Sequence, residues 1–254
     1  MVEKLGKKLR KVLETAGDIS MKLSIERKVF EALPGMKLVV VVARDVDNQL
    51  DRPDLRSVLV EAWALAGKAA TEYGNPQSHP RIKTWVDHFK ALGVSRKAFP
   101  SSLEAMVRRV GKGGEPISIN PLVDFYNAVS LKYMVTAGGY DLDQLDQGLA
   151  LRFSRSGDTF QALDEDRSSE IPEGEVSYAD GDQILTRHML WRQSKKGLLE
   201  RTSRNVVLVS EIPGEFEEGT SEHILSVLMN GIREHFQVEP NGYIMDAEHI
   251  FLVI

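Results

Sequence analysis

The sequence predicts an α+β protein in which helices cover a mixed β-sheet that is strongly bent or partly closed. Three observations carry that expectation. From Pro53 to Tyr133 the apolar residues recur mainly at helical spacing, whereas after Gly148 they alternate or form short β-branched runs. KLVVVVAR, Lys37 to Arg44, is β-branched without polar alternation, which marks a strand buried on both faces.

In chain order, Met1 to Gly17 reads as a basic amphipathic helix. Leu5, Leu9, Val12 and Leu13 share one side, suited to docking on the fold or to a membrane or RNA contact. Lys22 to Ile25 reads as a short strand and Arg27 to Leu33 as a turn of helix. Pro53 opens a long helix to about Tyr73, with Leu59, Ala62, Trp63, Ala66 and Ala70 inward, broken by Gly74-Asn75-Pro76. Pro80 opens a helix that Gly93 ends, with Ile82, Trp85, Val86, Phe89 and Leu92 on one face. Ser101 or Ser102, ahead of Glu104, caps a helix carrying Arg108, Arg109 and Lys112 near its C-terminal end. The next helix aligns Leu122, Tyr126, Val129 and Tyr133, and sets Asp124 and Asn127 on a shared face.

Beyond these helices, Gly138 to Asp141 (GGYD) reads as a turn, and Leu149 to Ser154 and Glu175 to Ala179 as alternating strands. Gln183 to Trp191 reads as a longer mixed strand and Val206 to Ile212 as a buried one. Asp164 to Gly174 is expected to be a surface loop and Pro213 to Gly219 an acidic turn; Thr220 caps a last helix with Ile224, Leu225, Leu228 and Ile232 inward. His249 to Ile254 reads as a terminal strand in need of a partner. The chain is taken as one domain over 1–254, with an N-terminal layer (1–77), a core (78–211) and a C-terminal helix and strand (212–254).

Composition excludes several function classes. There is no cysteine, hence neither a disulfide framework nor a thiolate zinc site. The six histidines lack ligand spacing, so neither a metal nor another cofactor is expected. The longest apolar run, Leu38 to Ala43, is too short for a bilayer, so no membrane partner and a cytoplasmic location are expected. A net charge of −5 is unlike that of a generic polyanion binder, and DNA is not expected as a partner. Charge is concentrated locally all the same: Arg187, His188, Arg192, Lys195, Lys196, Arg201 and Arg204 lie close together with Glu200 as the one acid among them.

A helix of the type I-N-x-x-V-D-x-x-N, then a turn and [HG]-x-[FY]-D-L-D, is matched here by Ile119, Asn120, Val123, Asp124, Asn127, Tyr140, Asp141, Leu142 and Asp143. Downstream, LALRFSRSGDTFQALD (Leu149 to Asp164) and the strands within Glu173 to Arg187 and Thr202 to Glu211 follow in the same order. From Ser78 to Glu211 the chain thus resembles the tRNA-editing module, the third and fourth domains, of the phenylalanyl-tRNA synthetase beta subunit. The resemblance implies tRNA binding at the acceptor end and hydrolysis of the ester of a mischarged aminoacyl-tRNA. No signature for ATP-dependent aminoacylation accompanies it, so the chain reads as a stand-alone editing-like module. The alternative is a non-catalytic module that binds a free amino acid or small metabolite in the same pocket.

An aminoacyl ester is already activated. Its hydrolysis needs a side-chain pocket, groups that place the ribose and a positioned water, and no strong nucleophile. The resemblance implies a pocket built from GGYD, the Leu185 to Gln193 stretch and the end of the Val206 to Glu211 strand. Glu211 and Asn127 are its catalytic candidates. Asn120, Asp124, Gly138, Gly139, Tyr140, Asp141, His188 and Trp191 are its substrate-binding candidates. Arg108, Arg109, Arg187, Arg192, Lys195 and Lys196 are candidates for holding RNA. Two departures stand out: Gly138 occupies the family's usual histidine position, and RHMLWRQS (Arg187 to Ser194) replaces its glycine-rich A-G-h-h-G-G segment. Selection of tyrosine therefore does not carry over. For Asp124 and Asn127 the alternative is to brace the following turn, and for Asp141 and Asp143 to bond neighbouring backbone N–H groups.

Overall fold

The computed structural model describes residues 21–254, and the Met1 to Gly17 helix reading lies outside them. The β-branched run forms β2 (Lys37–Ala43), whose alternate residues enter two different cores: Leu38, Val40 and Val42 one, Val39, Val41 and Ala43 the other. Apolar side chains can occupy both faces of such a strand only if both faces are covered. β2 pairs antiparallel with β10 (Val206–Ile212) along its whole length and with β11 (Asn241–Met245) on its other edge. β3 (Gly138–Asp141) completes a four-stranded sheet in the order β11-β2-β10-β3.

The larger sheet is eight-stranded and mixed. Its order is β12 (Phe251–Val253), β1 (Lys22–Ile25), β4 (Leu149–Phe153), β7 (Val176–Asp180), β8 (Gln183–Arg187), β5 (Thr159–Phe160) and β6 (Ser169–Glu170), with β9 (Arg192–Gln193) added to β8. β1 runs parallel to β4, and β5 to β8. The terminal strand finds its partner in β1, antiparallel.

The two open sheets meet across a core in which Leu23, Leu149 and Tyr178 face Val40, Val207 and Val209. Helices α1 (Arg27–Ala32) and α3 (Pro80–Ala91) add Phe30, Trp85 and Phe89 to it. The other face of the smaller sheet is covered by α5 (Pro121–Tyr133) and α6 (Thr220–Gly231), through Leu122, Val129, Ile224 and Leu228. On α5 in turn lie α2 (Pro53–Glu72) and α4 (Ser102–Gly111), which join Leu59, Ala66 and Leu103 to Leu131. Each such side chain contributes about 1.5–3 kcal/mol relative to exposure. The helix starts follow local rules. Pro53, Pro80 and Pro121 each fall in the first turn, where a missing N–H costs nothing, and Ser101 Oγ and Asn120 Oδ1 accept from the N–H of Glu104 and Val123.

The fold is α+β, as expected, with a mixed larger sheet and an antiparallel smaller one, and several local readings are corrected. GGYD is a strand and not a turn, because it fills the free edge of β10. The Gln183 to Trp191 stretch is not one strand. β8 ends at Arg187, and the chain reverses through His188 and Met189, both left-handed (φ 47° and 61°), into β9. The acidic loop contains β6, which pairs with β5. Gly219, with φ 81°, occupies the α6 cap position, and Thr220 donates its hydroxyl to Glu217 O (2.6 Å) from inside the helix. β11 was not expected, since its Asn241-Gly242 opening reads as a turn.

Candidate functional site

Where the smaller sheet, α5 and the β8–β9 hairpin converge lies a recessed cavity of about 130 Å³. Its floor comes from adjacent strands: Gly138 opposes Val209 in register, and Tyr140 and Glu211 extend the same surface. Helix α5 contributes Tyr126 and Asn127, and β7 contributes Tyr178. The hairpin supplies Thr186 and Gln193 from its strands, with Met189, Leu190 and Trp191 in its turn as a roof.

The two glycines serve different ends. A Cβ at Gly139 would lie 2.7 Å from both Leu199 Cδ1 and Leu208 Cδ2, so any larger residue would have to displace these leucines for β3 to sit on the core there. A Cβ at Gly138 would meet nothing within 4 Å, and its side holds open space of the cavity.

Glu211 is 2% exposed and makes two close contacts: Thr136 Oγ1 donates to Oε2 (2.6 Å) and Tyr178 OH donates to Oε1 (2.5 Å). Burial pushes its pKa above the ordinary carboxylate value, against the opposing pull of those two donors. Burial likewise raises the phenols of Tyr140 and Tyr178, and Tyr140 OH lies 2.8 Å from Thr186 Oγ1. A stability prediction follows from Glu211. Because its folded-state pKa is raised, its contribution is complete below the unfolded value near 4.5 and is lost as pH rises through the folded value. Urea midpoints of the wild type should therefore fall relative to those of Glu211→Gln as pH increases from that point. Parallel profiles would contradict the assignment.

The other candidates divide. Gly138, Gly139, Tyr140, Asn127, Trp191 and Glu211 share the cavity wall. His188 lies behind the roof, its ring 4.2 Å from that of Phe99 and its Nε2 3.6 Å from Glu175 Oε2; burial lowers its pKa. Asn120, Asp124 and Asp141 are not in the cavity wall, and their polar atoms bond within the fold. Asn120 Nδ2 donates to Leu199 O (2.9 Å), Asp124 accepts from Ser118 Oγ (2.5 Å) and Ile119 N (2.8 Å), and Asp141 accepts from Asp143 N (3.0 Å) and Ser203 Oγ (2.6 Å).

The cations expected to form an RNA groove are each engaged already. Arg108 pairs with buried Glu104 (2.7 Å), Arg109 donates to Glu115 O (3.0 Å) and Lys195 to Glu165 O (2.6 Å). Arg187 grips Glu175 through Nε (2.9 Å) and Nη2, Arg192 pairs with Asp164, and Lys196 sits between Asp180 (2.7 Å) and Asp146 (2.6 Å). Thr136 and Tyr178 lie outside the segments implied for the pocket, and Thr186 and Gln193 fall within the Leu185 to Gln193 stretch without having been singled out there.

Two open sheets under helices, one mixed and one antiparallel, with a carboxyl-bearing cavity at their junction, define an α+β protein whose site lies between a strand floor and a hairpin roof. The chain belongs to the B3/4 domain family, whose model matches residues 85–222. That span coincides with most of the Ser78 to Glu211 resemblance. Among solved structures, the chain is similar to an N-terminal fragment of the phenylalanyl-tRNA synthetase beta subunit from Pyrococcus horikoshii, with 8% identity and a TM-score of 0.47 over 88% of this chain. It spans about half of that fragment's length, 54%. No curated protein matches the chain in sequence. Among the described residues no group of three or more His, Asp or Glu is placed to hold a metal ion, and no helix is long and apolar enough to cross a membrane.

Proposed function

We propose that the cavity receives the aminoacyl group of a mischarged tRNA and that the chain hydrolyses its ester. One observation supports this above the others: the three segments implied by the resemblance converge on one cavity, and among the described residues Glu211 is the one carboxyl that lines it. In this reading Glu211, braced by Thr136 and Tyr178, recognises the aminoacyl group, and the Asn127 amide holds the attacking water. Water adds to the ester carbonyl carbon, the bond to the ribose oxygen breaks, and that oxygen leaves with a proton. An activated ester needs no strong nucleophile.

One observation favours the second reading, binding of a free amino acid or metabolite without catalysis: the six expected RNA-holding cations already have protein partners. Deacylation of a panel of mischarged tRNAs by wild type and Glu211→Gln separates the two. Hydrolysis of one pairing, reduced at least about 10-fold in the variant, is expected. Stabilisation by a free amino acid without any hydrolysis would transfer the assignment to the second reading, and neither effect would sink both.

A further inference from the structure

The charge inventory of the cavity is one-sided. Its wall holds the carboxyl of Glu211 and the rings of Tyr126, Tyr140, Tyr178 and Trp191, with Tyr140 and Tyr178 5.4 Å apart between centroids. Among the described residues no lysine, arginine or histidine lines it. The two arginines beside the roof, Arg187 and Arg192, lie over the ring of Trp191 (5.5 and 6.0 Å) but outside the wall, paired with Glu175 and Asp164, and His188 lies tilted against Phe99, also outside it. Aromatic faces and a carboxylate attract a cation. A ligand carboxylate would enter without a basic partner and beside Glu211, and an unpaired buried charge is strongly disfavoured.

We propose that the cavity selects by charge: it takes a primary ammonium whose neighbouring carboxyl is masked as an ester or amide, held by Glu211 and the aromatic rings, and rejects the same amine bearing a free carboxylate. The inference rests on the aminoacyl reading and names the chemical class that the cavity accepts. It also accounts for turnover, since hydrolysis unmasks a carboxylate that the cavity cannot pair, and the product leaves.

Proton balance makes the idea measurable. The groups facing Glu211 are Thr136 ahead of β3, Tyr140 on β3, Tyr178 on β7 and Tyr126 on α5, and all four are neutral. In the empty cavity burial favours protonated Glu211; an arriving ammonium favours the carboxylate, and the carboxyl proton passes to solvent.

Titration calorimetry in two buffers of different ionisation enthalpy tests this, with the methyl esters of alanine, valine, methionine and phenylalanine, their N-acetyl derivatives and the free amino acids as probes. At least one ester should bind with proton release, while its free acid and its N-acetyl derivative bind at least about 10-fold more weakly. In Glu211→Gln the release should vanish and the preference for the free amine should collapse. Equal binding of ester and free acid, equal binding of ester and N-acetyl ester, or no ester binding would overturn the inference, and the wild-type data decide it even if the variant does not fold. Failures of the two proposals remain distinguishable. Equal deacylation of aminoacyl- and N-acetylaminoacyl-tRNA would remove the charge filter and leave editing in place, whereas ester binding with no deacylation of any tRNA would do the reverse.

Discussion

Replacing Arg152 by alanine is expected to lower the free energy of unfolding by about 3–5 kcal/mol at neutral pH. Arg152 is 5% exposed and Asp158 3%, and the guanidinium meets the carboxylate through Nη1 (2.6 Å) and Nη2 (2.9 Å). It also donates to Phe153 O (2.9 Å) and Gly181 O (2.6 Å), which ties β4 to the β7–β8 turn. Alanine would leave a buried carboxylate and two carbonyls without these donors. Burial pushes the Asp158 carboxyl upward, but its bonds to Arg152 and to the Arg155 N–H outweigh this and hold the pKa low. A depressed folded-state pKa contributes stability above the unfolded value that is lost as pH falls through the folded value. The deficit of the variant should thus be largest near neutrality and shrink under acid. Urea unfolding at several pH values measures it, and a loss below about 1 kcal/mol at neutral pH would show that the pair carries little.

The second large effect concerns function. Gly138→Leu should abolish ligand binding and deacylation, by at least about 100-fold, with stability changed by no more than about 1 kcal/mol. The new side chain enters space where a Cβ meets nothing within 4 Å, on a strand position paired with Val209. Gly139→Ala serves as the control, because it drives a methyl against Leu199 and Leu208 and should act through stability instead. Retained activity in a folded Gly138→Leu protein would show that substrate does not occupy this cavity.

Much of the architecture is legible in the sequence for identifiable reasons. β2 and β10 are unbroken β-branched runs, and α2, α3 and α5 combine a proline start with an apolar stripe. Glu211 stands out as an acid at the end of an otherwise apolar strand. What stayed hidden depends on pairing across long separations. Nothing local distinguishes Tyr178 or Thr186 from hydroxyls facing elsewhere until β7, β8 and β10 are in register. The basic stretch after Arg187 looks uncompensated because its acids are remote in sequence: Glu175, Asp164, Asp146 and Asp180. Likewise, the reversal at His188 and Met189 is invisible where neither residue is glycine or asparagine.

That reversal and the strand beneath it divide the cavity into parts with different tolerance for change. Glu211 rides on a strand bonded to β2 along its length and to β3 at its other edge, so the floor can scarcely shift without unmaking the sheet. Met189, Leu190 and Trp191 sit on a hairpin with two register pairs, bent through two backbone conformations that non-glycine residues seldom adopt; Met189 and Leu190 are buried in the core and Leu190 O accepts from Ser102 N–H (2.8 Å), whereas Trp191 is only partly buried. Under the proposed function, Trp191 is thus the roof position where a substitution would reshape the space at least cost to the core, while the acid below stays where the sheet has put it.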